Sequence, residues 1–221
     1  MACVAAPVFL VAADSCSVEG RVVLPASLGG GVGQQRLNPR YQAVAANEVG
    51  PAPRPRAVIS IEGVAAPEAT NAPARDAVVR YEQQKFQFVP AVLAIRVGTQ
   101  VEFPNRDSSY HNVLSFSPTK EFDLGRYLKD EKPPVVTFDK AGVVELNCEI
   151  HEHMRGYIVV LDTPFFTLSD EHGNYKIGKV PAGKFTVRVW AGPKNQWKKA
   201  VEVAPGETLR LDFPDASRSA N

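Results

Sequence analysis

The stretch CEIHEHMRGYIVV, residues 148–160, sets Cys148, His151 and Met154 at three-residue intervals ahead of an apolar, strand-like run. His153 stands between the last two. The chain has only four histidines, and two methionines of which one is Met1. A thiol, an imidazole and a thioether in one short loop are soft and borderline metal donors. In an exported protein a lone thiol does not readily stay unoccupied, and a metal ion is its natural occupant. Cys148 with His151 also suggests a thiol hydrolase, but that role uses neither Met154 nor a second histidine.

A fourth donor must come from elsewhere in the chain. His111 opens the strand-like segment YHNVLSFS, whereas His172 sits in the turn sequence Asp-Glu-His-Gly-Asn. His153 is read as an exposed neighbour. One thiolate, two imidazoles and a weak axial thioether form the blue-copper arrangement, in which one compromise geometry serves both oxidation states. Structural zinc prefers four strong ligands, and a thioether is a poor one. Four histidines are too few for a trinuclear oxidase centre.

Outward from the loop, helical periodicity is almost absent. Short alternating or apolar runs are separated by Gly, Pro, Asn and Asp, which reads as an all-β chain of sandwich or barrel type. From Val78 to Asp162 we expect about seven strands. Among these segments EFDLGRYL is irregular, and PVVTFDKAGVVELNC is a hairpin turning at Asp139 to Gly142. After Thr163 the sequence reads as four strands, with turns at His172-Gly173, Pro181-Ala182-Gly183 and Pro205-Gly206. Four short strands make a poor sandwich alone. Pairing them with the early strands Val18 to Leu24 and Ala57 to Ile61 gives a six-stranded sandwich with the middle module inserted; placing both early strands in the middle module is the competing topology. The Gly-, Ala- and Pro-rich stretches between these segments read as surface loops.

With 221 residues, 44% of them hydrophobic and 22% charged, the chain can build a real core. A net charge of +1 without a basic run speaks against nucleic acid, and no apolar stretch spans a bilayer. MACVAAPVFLVAADSCS resembles a signal peptide with a cleavage site at Val11-Ala12-Ala13, so residues 1–16 are expected to be a leader or disordered. A first buried strand and a lipid on Cys16 are the alternatives. If the leader departs, Cys3 departs with it and Cys16 is left at a frayed end. The expected location is the periplasm or outside the cell.

The segment Phe88-x-Pro90-x-x-Leu93-x-Ile95-x-Val97-Gly98-x-x-Val101-x-Phe103-x-Asn105, then His111-Asn112, then Gly142-x-Val144-x-Leu146-Asn147-Cys148-x-x-His151-x-x-Met154, resembles the plastocyanin and amicyanin family of cupredoxins. The whole chain resembles cupredoxins labelled methylamine-utilisation proteins. SDEHGNYKIGKVPAGKFTVRV resembles a carboxypeptidase-regulatory-type β-sandwich. The resemblance implies a Greek-key copper domain over 76–162 and a second small sandwich over 17–63 and 163–214. It implies one copper ion on His111, Cys148 and His151 with Met154 axial. It implies that Asn112 donates its N–H to the Cys148 sulfur and that its side chain ties the ligand loops together. Related loops carry prolines where this chain has Ile150 and Glu152, so Ile150 restores an N–H that is expected to reach the same sulfur. The implied function is one-electron transfer, with no enzymatic turnover, to a redox partner docking at the edge of His151. A copper-delivery protein without a redox role, and a structural module centred on the second sandwich, are the alternatives.

Overall fold

The structure is a computed structural model that describes residues 15–26, 48–51, 53–64 and 78–214. The expected leader, apart from its last two residues, lies outside this set, as does most of the loop sequence rich in Gly, Ala and Pro. Every helical or extended element among the described residues is a strand. In chain order they are β1 (Cys16–Arg21), β2 (Val58–Glu62), β3 (Val78–Arg80), β4 (Glu82–Gln83), β5 (Phe88–Val89), β6 (Val92–Arg96), β7 (Thr99–Glu102), β8 (His111–Ser117) and β9 (Lys120–Tyr127). There follow β10 (Val135–Phe138), β11 (Gly142–Asn147), β12 (Arg155–Leu161), β13 (Phe166–Leu168), β14 (Asn174–Val180), β15 (Gly183–Trp190), β16 (Gln196–Val203) and β17 (Thr208–Arg210).

Fifteen of these strands make two sandwiches, and β4 and β5 pair with each other. In the first, the five-stranded sheet β6-β12-β11-β8-β9 faces the three-stranded sheet β10-β7-β3. Val101, Phe103 and Phe138 from the smaller sheet interdigitate with Ile95, Val113, Val144, Leu146 and Ile158 from the larger. In the second, β14-β1-β17 faces β13-β2-β15-β16. There Val18, Val22 and Ile177 meet Ile59, Ile61, Val187 and Val189. The strands β3 to β12 lie between β2 and β13 in sequence, so the chain leaves one sandwich, completes the other and returns.

Strand β12 explains the apolar run that follows the histidine loop. Side chains alternate across a strand, and β12 is covered on both sides. Ile158 and Val160 enter the first core. Tyr157, Val159 and Leu161 point the other way, against Val58, Val92 and Trp190, and so cement the two sandwiches together. Tyr157 and Trp190 pack with ring centroids 5.1 Å apart.

Several elements differ from the sequence reading. EFDLGRYL is not irregular: it forms most of β9, an edge strand with one face in water, which is why its residues look mixed. PVVTFDKAGVVELNC is not a hairpin. Strand β10 pairs with β7 while β11 pairs with β12 and β8, so the turn between them carries the chain from one sheet to the other. Five strands follow Thr163 rather than four, because the turn at Ala191 to Asn195 separates β15 from β16. Cys16 is not at a frayed end. It begins β1, is buried, and its Sγ donates to the Ala204 carbonyl at 3.0 Å.

Candidate metal centre

Three strand ends converge at one end of the first sandwich. Strands β11 and β12 form a hairpin whose loop runs from Cys148 to Met154, with Asn147 opposite Arg155. Within the loop the Met154 N–H donates to the His151 carbonyl at 2.8 Å, closing a tight turn from His151 to Met154. Strand β8 lies beside β11, and its first residue is His111. The result is that one ligand atom each of His111, Cys148 and His151 lies within 4.8 Å of the others, all three residues being buried. The His111 and His151 Nδ1 atoms are 3.1 Å apart, and the Cys148 Sγ is 3.8 Å from the His151 Nδ1. Met154 is buried in the same apolar cluster as Cys148.

Electrostatics favour the thiolate. Burial alone would raise the Cys148 pKa, but hydrogen bonds from His111, His151 and the backbone N–H groups of Asn112 and His151 lower it from 9.0 to about 6. Ile150 packs, partly buried, against the core. The Asn112 side chain joins neighbouring segments, accepting from the Glu149 N–H at 3.4 Å and donating to Asp123 Oδ1 at 2.7 Å.

The residues around His111 left no signal in the sequence spacing. Asp107 Oδ2 lies 2.8 Å from His111 Nε2. A carboxylate at Nε2 fixes the proton there and leaves Nδ1 bare toward the site. Burial disfavours charge on His111, yet Asp107 and Cys148 together raise its pKa above the ordinary value. A buried polar network holds the start of β8. Gln83 Nε2 donates to the Asn112 carbonyl at 3.1 Å, Tyr127 Oη donates to Gln83 Oε1 at 2.8 Å, and Asn105 Nδ2 donates to the Tyr127 carbonyl at 3.0 Å. Each polar group is paired, as burial requires.

Phe86 covers the histidines from a third direction. Its ring meets His111 edge-on at 5.3 Å and His151 at 4.9 Å between centroids. It sits in a two-residue turn between β4 and β5, where Gln84 and Gln87 exchange backbone hydrogen bonds of 2.9 and 3.2 Å. Lys85 and Phe86 have φ of 51° and 57°. A turn of this mirror-image type ordinarily takes Asn-Gly, and each non-glycine residue in the left-handed region costs about 1–2 kcal/mol. His153, expected to be exposed, is half-buried, and its Nε2 has no partner. Burial, and then the neighbouring His151, lower its pKa. His172 lies in an exposed turn away from the cluster.

The donor set can be tested by its chemistry. One thiolate and two imidazoles in a buried site fit a transition ion of soft or borderline character. Magnesium and calcium, which take oxygen ligands, do not fit.

No family model and no curated protein matches the chain. Among solved structures it is similar to a copper-containing nitrite reductase from Thermus scotoductus SA-01, at 28% identity and a TM-score of 0.37. That likeness covers 39% of this chain and 23% of the reductase. It is similar to the reduced Cu(I) form of an amicyanin mutant at 24% identity, TM-score 0.36, covering 47% of this chain and 98% of amicyanin. An oxidised amicyanin mutant matches at 26% identity with the same coverage and TM-score.

Proposed function

We propose that this chain is a type 1 copper protein that carries single electrons. The observation that supports this reading is the buried convergence of the Cys148 thiolate with the imidazoles of His111 and His151. His111 and His151 would hold the ion through Nδ1 and Cys148 through Sγ, with the Met154 thioether as a weaker fourth ligand. Copper, when bound, supplies a one-electron Cu(I)/Cu(II) couple, and the rest is the work of the chain. Asp107 orients His111, the buried network under β8 keeps its backbone in place, and Phe86 closes the space beside both rings. A site held this firmly limits rearrangement between oxidation states. The N–H groups on the sulfur withdraw charge from the thiolate and so raise the potential.

In this reading the protein turns over no substrate of its own. It acts outside the cytoplasm, and redox partners dock near His151. The second sandwich is a carboxypeptidase-regulatory-like companion to a copper domain over 76–162.

The experiment is Cu(II) titration of the purified chain followed by voltammetry. We expect one copper ion per chain, an intense visible thiolate-to-copper band, and a reversible one-electron wave. Cys148→Ser should abolish the band. A Cys148→Ser protein that keeps the colour would refute the assignment, and copper uptake without a reversible wave would favour copper delivery.

A further inference from the structure

We propose that Phe86 is a positioning residue for the His111–His151 pair and that the Asp107 carboxylate holds it in place; the inference rests on the copper reading above. The starting point is a backbone outlier. A turn that ordinarily takes Asn-Gly is made here by Lys85 and Phe86, both left-handed. Strain of this kind persists only where the surroundings over-determine it, and it gathers at functional sites.

The surroundings do so here. Asp107 Oδ1 accepts the Lys85 N–H at 2.7 Å, and Oδ2 accepts the Phe86 N–H at 2.9 Å. The same Oδ2 is the atom that holds His111 Nε2. The Gly50 N–H donates to the Lys85 carbonyl at 3.0 Å from the far side, and the Gln87 side chain donates to the Gly50 carbonyl. One carboxylate therefore fixes both the turn and a histidine.

What the turn delivers is the ring. Phe86 stands nearly perpendicular to both imidazoles, at 80° to His111 and 85° to His151. The electropositive edge of one aromatic against the face of another is a favoured arrangement. A single ring wedged against two ligands restricts both side chains at once. A glycine in place of Phe86 would relieve the backbone and lose the wedge, so the turn gives up local ease to order the site. Asp107 and Phe86 act through the histidines and touch no reacting atom.

The test compares the full-length wild type with Phe86→Gly, Phe86→Ala, Phe86→Tyr and Asp107→Asn. Thermal unfolding of the metal-free chains should place Phe86→Gly above Phe86→Ala, because only glycine adopts this φ without strain. After copper loading, Phe86→Gly and Phe86→Ala should share an altered visible band, an altered Cu(II) hyperfine coupling and a shifted potential. Asp107→Asn should move these in the same direction, and Phe86→Tyr should restore the wild-type values. Wild-type spectra and potential in both Phe86→Gly and Phe86→Ala would overturn the proposal. If the wild type takes up no copper, the copper reading fails separately, and the imidazole resonances of the metal-free chains decide the positioning role. Narrow single lines in the wild type that broaden by exchange in Phe86→Gly support it, and lines equally narrow in both overturn it.

Discussion

At the scale of single residues, the loop from Cys148 to Met154 concentrates donors, and the sulfur is their electrostatic centre. The backbone N–H groups of Asn112 and His151 help to lower the Cys148 pKa. Replacing Ile150 with proline removes a backbone N–H two residues beyond Cys148, and the potential of Ile150→Pro is expected to fall by voltammetry; an equal or higher value would show that this N–H does not reach the sulfur. Met154→Gln should retain copper but give a lower potential, because a harder axial ligand favours Cu(II); an equal or higher value would remove Met154 from the axial position. Cys148 and His151 could be read from sequence because their spacing is local, and His111 because the chain has few histidines. Asp107 and Phe86 could not. Nothing in Gln-Lys-Phe-Gln announces a left-handed turn, since the usual Gly and Asn are missing, and Phe86 passes for one more alternating strand residue. His153 was misread for a related reason: a polar residue in a loop looks exposed until the loop folds back.

At the scale of elements, β12 is the most constrained strand because both of its faces are buried. Gly156 lies at its start, and a Cβ there would collide with the Tyr81 hydroxyl and the Phe88 side chain. Tyr81 cannot easily yield, since its hydroxyl donates to the Ala91 carbonyl and accepts from the Tyr157 N–H, each at 3.1 Å. Gly156→Ala is expected to destabilise the chain by about 1–3 kcal/mol through overpacking, measured by denaturant unfolding. The turn between β13 and β14 makes a different prediction. A hydrogen bond from the Asn174 side chain, and then the Asn174 and His172 N–H groups, hold the exposed Asp170 carboxyl below the usual range. A depressed carboxyl contributes stability above its unfolded pKa and loses it as pH falls through the folded value. Asp170→Ala should therefore melt below the wild type at neutral pH, and the gap should close as acid protonates Asp170 in the parent. Strands with clean alternation, such as β7 and β15, were legible from sequence. The turn between β10 and β11 was not, because a tight turn between two apolar strands looks the same whether they pair with each other or belong to facing sheets.

At the scale of the whole molecule, the all-β class follows from punctuation by Gly, Pro, Asn and Asp, and the five- and three-stranded layers follow from which faces are apolar. The seam between the sandwiches was hidden in the sequence, because an apolar run such as Gly156 to Leu161 does not say which of its faces meets which partner. Trp190 tests the seam. Trp190→Ala should lower stability by about 3–5 kcal/mol in calorimetry or denaturant unfolding. It should leave the visible spectrum of the copper-loaded protein unchanged, because Trp190 packs on the face of β12 turned away from the metal cluster.

The nested path of the chain also orders events in time. A polypeptide emerges from a ribosome or a membrane pore amino end first. Strands β1 and β2 therefore appear before their partners β13 to β17 exist, and Ser17 waits for Thr208, 191 positions later, to complete the bond between their hydroxyls. At a synthesis rate of about 5–20 residues per second, the interval from Glu62 to Phe166 lasts roughly 5–20 s. The inner sandwich, with every one of its strands between Val78 and Leu161, is complete within that interval. The apolar faces of β1 and β2 stay uncovered meanwhile, so the early strands are the part of this protein most in need of a chaperone at birth.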